Sequence, residues 1–277
     1  MPLERILITV KTYPTLSTKY GELVCTAGLR EDGSWIRIYP VPFRQLEAYQ
    51  KFPKYSFIEA EVIRNNKDAR PESHKVSIDT LNLTGEELST HDHWRERRDW
   101  ILRRGTVHTN LTRLIDANKN GGLSLATFKP TRILGFKIEE DNPDWGSEKL
   151  AAVDALARQG DLFSGWKGHD LARLVRKLPW KFSYTIEDDE GKISTMMIED
   201  WEIGELYWNC LKSSISARDA ADKVRHKYFA EFAKKDIHLY LGTTRKYNGW
   251  ANNPFVIIGV FYPPVKLQEE LDLFAPR

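Results

Sequence analysis

The chain has 277 residues, 41% hydrophobic and 29% charged, with a net charge of +2, which is enough apolar content for a sizeable core and excludes the disordered class. No run of about 18 apolar residues occurs, and the start runs directly into a strand-like stretch, so a cytoplasmic protein without a membrane partner is expected. Cys25 and Cys210 are the only cysteines, each in an apolar segment, which excludes a disulfide framework or a Cys-rich zinc site and predicts two buried thiols.

Residues 5–10, 22–29 and 35–39 read as strands from their apolar, β-branched content, and Asp32-Gly33 between the last two is a hairpin signal. Ser56 to Arg64 adds another, predicting a small antiparallel barrel or sheet of about four or five strands. From Thr84 the period changes: Ser89 or Thr90 suits a cap, Trp94, Ile101 and Leu102 share a helical face, and Gly105 is the stop. Strands resume at Leu123 to Phe128 and Thr131 to Ile138 and are grouped with the first lobe. The polar stretch Glu139 to Ser147, holding Asn142-Pro143-Asp144, reads as a joint.

Beyond it, helices are expected at Glu148 to Gln159 and Asp170 to Lys177. A hairpin follows, Lys181 to Ile186 and Ile193 to Ile198 around Asp188-Asp189-Glu190-Gly191. Asp200 to Leu211 and Ala217 to Lys234 carry helical apolar faces. Strands Ile237 to Leu241 and Phe255 to Phe261 close the chain, the second so uniformly apolar that a central place in its sheet is expected. The loop between them, Gly242 to Pro254, is long, basic and aromatic, as binding loops are. The fold class is therefore α+β: a strand-rich N-terminal lobe with one basic helix over residues 1–140, and a mixed α+β lobe over residues 147–277.

Charge is segregated along the chain. Arg95 to Arg113 and Lys223 to Lys246 are basic runs, whereas Glu187 to Glu205 is acidic, a pattern that suits a polyanion-facing side and a carboxylate-bearing centre. Trp94 and Trp100 lie among Arg95, Arg97 and Arg98, and Tyr247 and Trp250 follow Arg245 and Lys246. Aromatic faces stack on unpaired bases while Arg and Lys hold phosphates, so these cations, together with Arg70 in its polar loop and Lys129, are the candidate nucleic-acid contacts.

The candidate catalytic residues are Asp200 and Glu202, at the strand-to-helix junction Ile198-Glu199-Asp200-Trp201-Glu202; the same pair also suits an ordinary helix cap and acidic first turn. His91 and His93 are spaced i, i+2 and do not face one point on a helix, so no metal is expected. Phosphate-loop, dinucleotide, serine-hydrolase and zincin motifs are absent.

Four segments resemble a family of bacterial proteins associated with mobile or phage-defence neighbourhoods. They are Val24 to Gly28 with Trp35 to Pro40, Ser124 to Pro130, Ile198 to Glu202, and Leu241-Gly242-Thr243 with Pro254 to Gly259. The resemblance implies DNA, including DNA with modified bases, as the substrate, and supplies no catalytic assignment. The expectation is a DNA-acting, glycosylase-like enzyme that takes an extruded base and hydrolyses its N-glycosidic bond without a cofactor. The alternatives are a non-catalytic reader of modified or single-stranded nucleic acid and a metal-dependent nuclease.

Overall fold

In β1 (Leu3–Lys11) successive side chains leave on opposite sides, and both sides are apolar. The computed structural model, which describes residues 2–17, 21–41, 46, 51–158 and 175–265, shows why. After the short β2 (Thr15–Ser17) come β3 (Gly21–Arg30), β4 (Trp35–Val41), β5 (Ser56–Arg64), β6 (Ser73–Val76) and β7 (Asn82–Glu87). β1 pairs with both β3 and β5, β3 with β4, β4 with β6 in parallel, and β6 with β5. These five strands close into a barrel, with β2 added to β3 and β7 to β5.

Ile6 and Ile8 pack with Ile36, Ile38, Ile58, Ala60 and Val62 in one core, inside the barrel. Leu7 and Val10 belong to a second core with Ala27, Leu29 and Phe57, on its outside. The β3–β4 turn needs Gly33, which has φ 81°, and a Cβ there would run into the carbonyl of Arg104.

Helix α1 (His91–Arg98) continues through a π-helical turn, Asp99–Arg104, to Gly105. Then follow β8 (Val107–His108), α2 (Leu111–Lys119, capped by the Asn110 side chain), β9 (Leu125–Phe128), β10 (Arg132–Glu140), α3 (Ser147–Arg158), β11 (Trp180–Glu187) and β12 (Ile193–Met197). The chain goes on through α4 (Trp201–Leu211), α5 (Ala217–Arg225), β13 (His238–Thr243) and β14 (Phe255–Phe261). One sheet has the order β10-β11-β12 and the other β14-β13-β9-β8. Thus β9 and β10, grouped by sequence order with the first lobe, hydrogen-bond to strands more than 40 residues downstream.

The four-stranded sheet is buried on both faces. Leu125, Tyr240, Ile258 and Phe261 face the barrel, while Ala126, Phe128, Leu239, Leu241 and Ile257 join the core built by β11, α4 and α5. This double burial, not a central position, makes β14 continuously apolar: it is the last strand of its sheet, and its outer side is met by the chain at Ile198–Glu199, where the Glu199 N–H donates to Ile257 O at 2.7 Å. Cys25 and Cys210 are free and half-buried, not fully enclosed: Cys210 packs at the margin of the C-terminal core, and Cys25 lines an open cleft. Of the expected helix at Asp170 to Lys177, residues 170–174 lie outside the described residues and residues 175–177 are not helical. No described helix is long and apolar enough to cross a membrane.

Candidate functional site

The barrel and the C-terminal sheets enclose between them a cleft of about 510 Å³. Its walls come from the exit of β1, from β3 and β4, from the joint before α3, and from β11, β12, β14 and the end of β13. Tyr13, Tyr39, Trp145, Trp180 and Phe182 supply aromatic surface, and Arg37, Arg70, Lys177, Lys181 and Arg245 supply cations.

Glu199 is the carboxylate that distinguishes this cleft. Its backbone is fixed on both sides, the N–H to Ile257 O and the carbonyl accepting from Tyr13 N at 2.8 Å. Among the described residues its half-buried side chain has neither a hydrogen bond nor an opposite charge to offset burial, and burial raises the carboxyl above its ordinary range. The other acid in the cleft, Asp141, behaves in the opposite way. Burial pushes it up, but Lys177, the Asn142 N–H and Lys181 more than compensate and hold it low.

Three further buried polar atoms on cleft-lining residues lack partners among the described residues: Arg37 Nε, Trp180 Nε1 and Thr244 Oγ1. The rest of the Arg37 guanidinium is held by Ser124, with Nη1 2.7 Å from its Oγ and Nη2 3.2 Å from its carbonyl. Arg70 is clamped by Asp68 at 2.7 Å and donates to Thr243 O at 2.8 Å, fastening the barrel's 68–73 turn to the end of β13.

The candidates expected from sequence are scattered. Asp200 is fully buried: it caps α4 by accepting from the Glu202 N–H and lies 3.3 Å from Lys54 Nζ. Burial, opposed by Lys54 and reinforced by the Glu202 charge, pushes its carboxyl up to about 6. Glu202 is half-exposed and 2.8 Å from the same Lys54 Nζ, in a smaller cleft of about 270 Å³ lined also by Trp94, Arg97 and Tyr262. Arg97 donates to Leu88 O and stacks on Tyr55, its guanidinium 4.0 Å from the ring centre. Arg98 and Lys129 both pair with Asp236, and Arg95 pairs with Asp92 at the surface. None of these residues lines the main cleft.

Arg70 and Arg245 do line it. Lys246, Tyr247 and Trp250 continue the chain from Arg245 in the same loop. Glu199 was overlooked in favour of its neighbour. The clue available was strand alternation, which sends adjacent side chains to opposite sides, so that Asp200 goes to Lys54 and Glu199 to the cleft. Among the described residues no group of three or more His, Cys, Asp or Glu could hold a metal ion.

Residues 2–103 match the family model described as a domain of unknown function (DUF8758), and residues 105–277 match a second, described as a domain of unknown function (DUF8757). The second match spans more than half of the chain, which belongs to that family. The two segments meet ahead of β8, so the strands that pair into the C-terminal sheets fall in one of them. No curated protein matches the chain. A solved structure described as "Structure of murine DNA binding protein bound with ds DNA" is similar at 8% identity, over 97% of this chain and 99% of that one, with a TM-score of 0.32.

Proposed function

For this member of the DUF8757 family, we propose nucleic-acid binding through one unstacked base seated in the main cleft. The observation that carries this reading is Glu199, a desolvated carboxyl without a partner among the described residues, set among aromatic side chains in a cleft rimmed by cations. Aromatic faces hold a base by stacking, worth about 1–3 kcal/mol per base. In its protonated form, which burial favours, this carboxyl offers a donor and an acceptor side by side, which matches the polar edge of a base. The Arg37 Nε and Trp180 Nε1 donors add hydrogen bonds that folding leaves unused. Lys177, Lys181 and Arg245 suit the flanking phosphates. DNA is the preferred partner, and modified viral DNA is the natural one if the protein acts in phage defence, as the sequence resemblance implies.

The raised Glu199 carboxyl also favours a second reading, N-glycosidic hydrolysis. Protonated Glu199 would give its proton to the departing base as the C1′–N bond breaks. Water would add to C1′ and return a proton to the carboxylate, leaving free base and an abasic sugar. In this reading the carboxylate role passes from Asp200, which is closed off by Lys54, to Glu199.

The test is binding to a panel of DNA strands that differ in one plain or modified base, followed by alkali. Base-dependent binding that Glu199→Leu and Tyr39→Ala each weaken about tenfold or more supports the reading. Binding indifferent to the base and to both substitutions overturns it. Alkali-induced breaks at the target identify the hydrolase, and intact strands identify the reader.

A further inference from the structure

We infer that the loop after β13 carries a rigid aromatic wedge, Trp250 supported by Tyr247, which enters a duplex and fills the place of the base taken into the cleft. This rests on the base-binding reading and narrows the ligand class to double-stranded nucleic acid.

Trp250 is 65% exposed, alone among the described tryptophans in being so open, and Tyr247 is 41% exposed. A single exposed aromatic is ordinary; one held in a fixed place by buried polar groups is not. Asn118 on α2 is buried and serves this loop. Its Nδ2 donates to Asn248 Oδ1 at 2.8 Å, and its Oδ1 accepts from the Gly249 N–H at 2.9 Å. Thr243 Oγ1 donates to the same Asn248 oxygen at 2.8 Å. Gly249, at φ 81°, turns the chain where a Cβ would be strained.

The indole itself is pinned, with Nε1 donating to Lys246 O at 2.8 Å, and its ring centre lies 5.7 Å from that of Tyr247. Lys246 Nζ sits 5.2 Å over the Tyr247 ring. None of these contacts adds apolar burial to a core, yet together they remove the mobility that would otherwise be lost on binding.

The position of the loop indicates its use. Its root, Gly242 to Arg245, lines the cleft, so the wedge and the base receptor are parts of one continuous segment. Arg245 also donates to Lys67 O at 3.0 Å, which holds its guanidinium at the rim where phosphates would pass. Apolar side chains inserted between base steps are a general way to open a duplex, and extrusion leaves a gap that an indole can stack into.

The experiment compares a duplex and the matching single strand, both carrying the panel base bound best by the wild-type protein. Trp250→Ala is expected to lower duplex affinity about ten- to a hundredfold, to change single-strand affinity by no more than about twofold, and Trp250→Phe to restore most of the loss. Equal losses on both strand forms, or no loss on the duplex, overturn the wedge and leave the base-binding reading intact. If wild type distinguishes no base in either strand form, the base-binding reading falls and the wedge falls with it.

Discussion

Tyr13 and Glu199 are joined main chain to main chain, the Tyr13 N–H donating to the Glu199 carbonyl at 2.8 Å. Through that bond the exit of the barrel's first strand and the approach to α4 form one wall of the cleft, and the Glu199 carboxyl is fixed by backbone instead of by a side-chain partner. A carboxyl left without a partner weakens the fold at neutral pH, which marks it as a group with another use.

That cost can be measured. Because burial raises the Glu199 carboxyl, the folded chain holds its proton more tightly than the unfolded chain. Stability therefore falls as pH rises from the ordinary glutamate range through the raised folded value. Glu199→Gln should remove this part of the fall, leaving the variant at least as stable as wild type at neutral pH. Thermal unfolding across the acid-to-neutral range reads the slope; a variant clearly less stable at neutral pH would assign Glu199 a structural role.

Lys54 and Asp200 should behave in the opposite way. Lys54→Met removes the ammonium nearest the buried Asp200 carboxylate and is expected to cost about 3–5 kcal/mol in urea denaturation. Asp200→Asn should cost less, since an amide still accepts from the Glu202 N–H and Lys54 keeps Glu202 at 2.8 Å. If Asp200→Asn folds as well as wild type and yet abolishes strand cleavage, the carboxylate role belongs to Asp200 after all.

Gly204 offers a route to the cleft wall from behind. A Cβ at this position of α4 would overlap the Tyr13 ring, whose hydroxyl accepts from Trp208 Nε1 at 2.7 Å and donates to Arg176 O at 2.8 Å. Gly204→Ala should destabilise by about 1–3 kcal/mol despite its better helix propensity and should weaken base binding by displacing Tyr13. Unchanged unfolding and binding would mean the ring moves without consequence.

Arg245 is assigned to phosphate, so Arg245→Ala should weaken binding to every base alike and lower the slope of log affinity against log salt by about one. A base-dependent loss would place Arg245 against the base edge instead.

Much of the architecture is legible in the residues themselves. Asp32-Gly33 announces the β3–β4 turn, and the apolar run Phe255–Phe261 announces a buried strand, though not its place at the end of its sheet. What the sequence cannot convey is pairing at a distance. The parallel contact of β4 with β6 and the docking of β9 on β13 depend on partners far apart in the chain, and no local period encodes them. The same holds for charge. Arg98 and Lys129 read as free cations until Asp236 is found between them, 138 and 107 residues away respectively. For Glu199 and Asp200, composition gives two adjacent acids, and only the β14 contact decides which one faces the cleft.

The most direct test of the central claim is the affinity of wild type and Glu199→Leu for two duplexes that differ in a single base. Wild type should prefer one duplex, and Glu199→Leu should bind both with the weaker, salt-dependent affinity. A Glu199→Leu protein that keeps the full preference would show that the cleft carboxyl does not read the base, and would contradict the account.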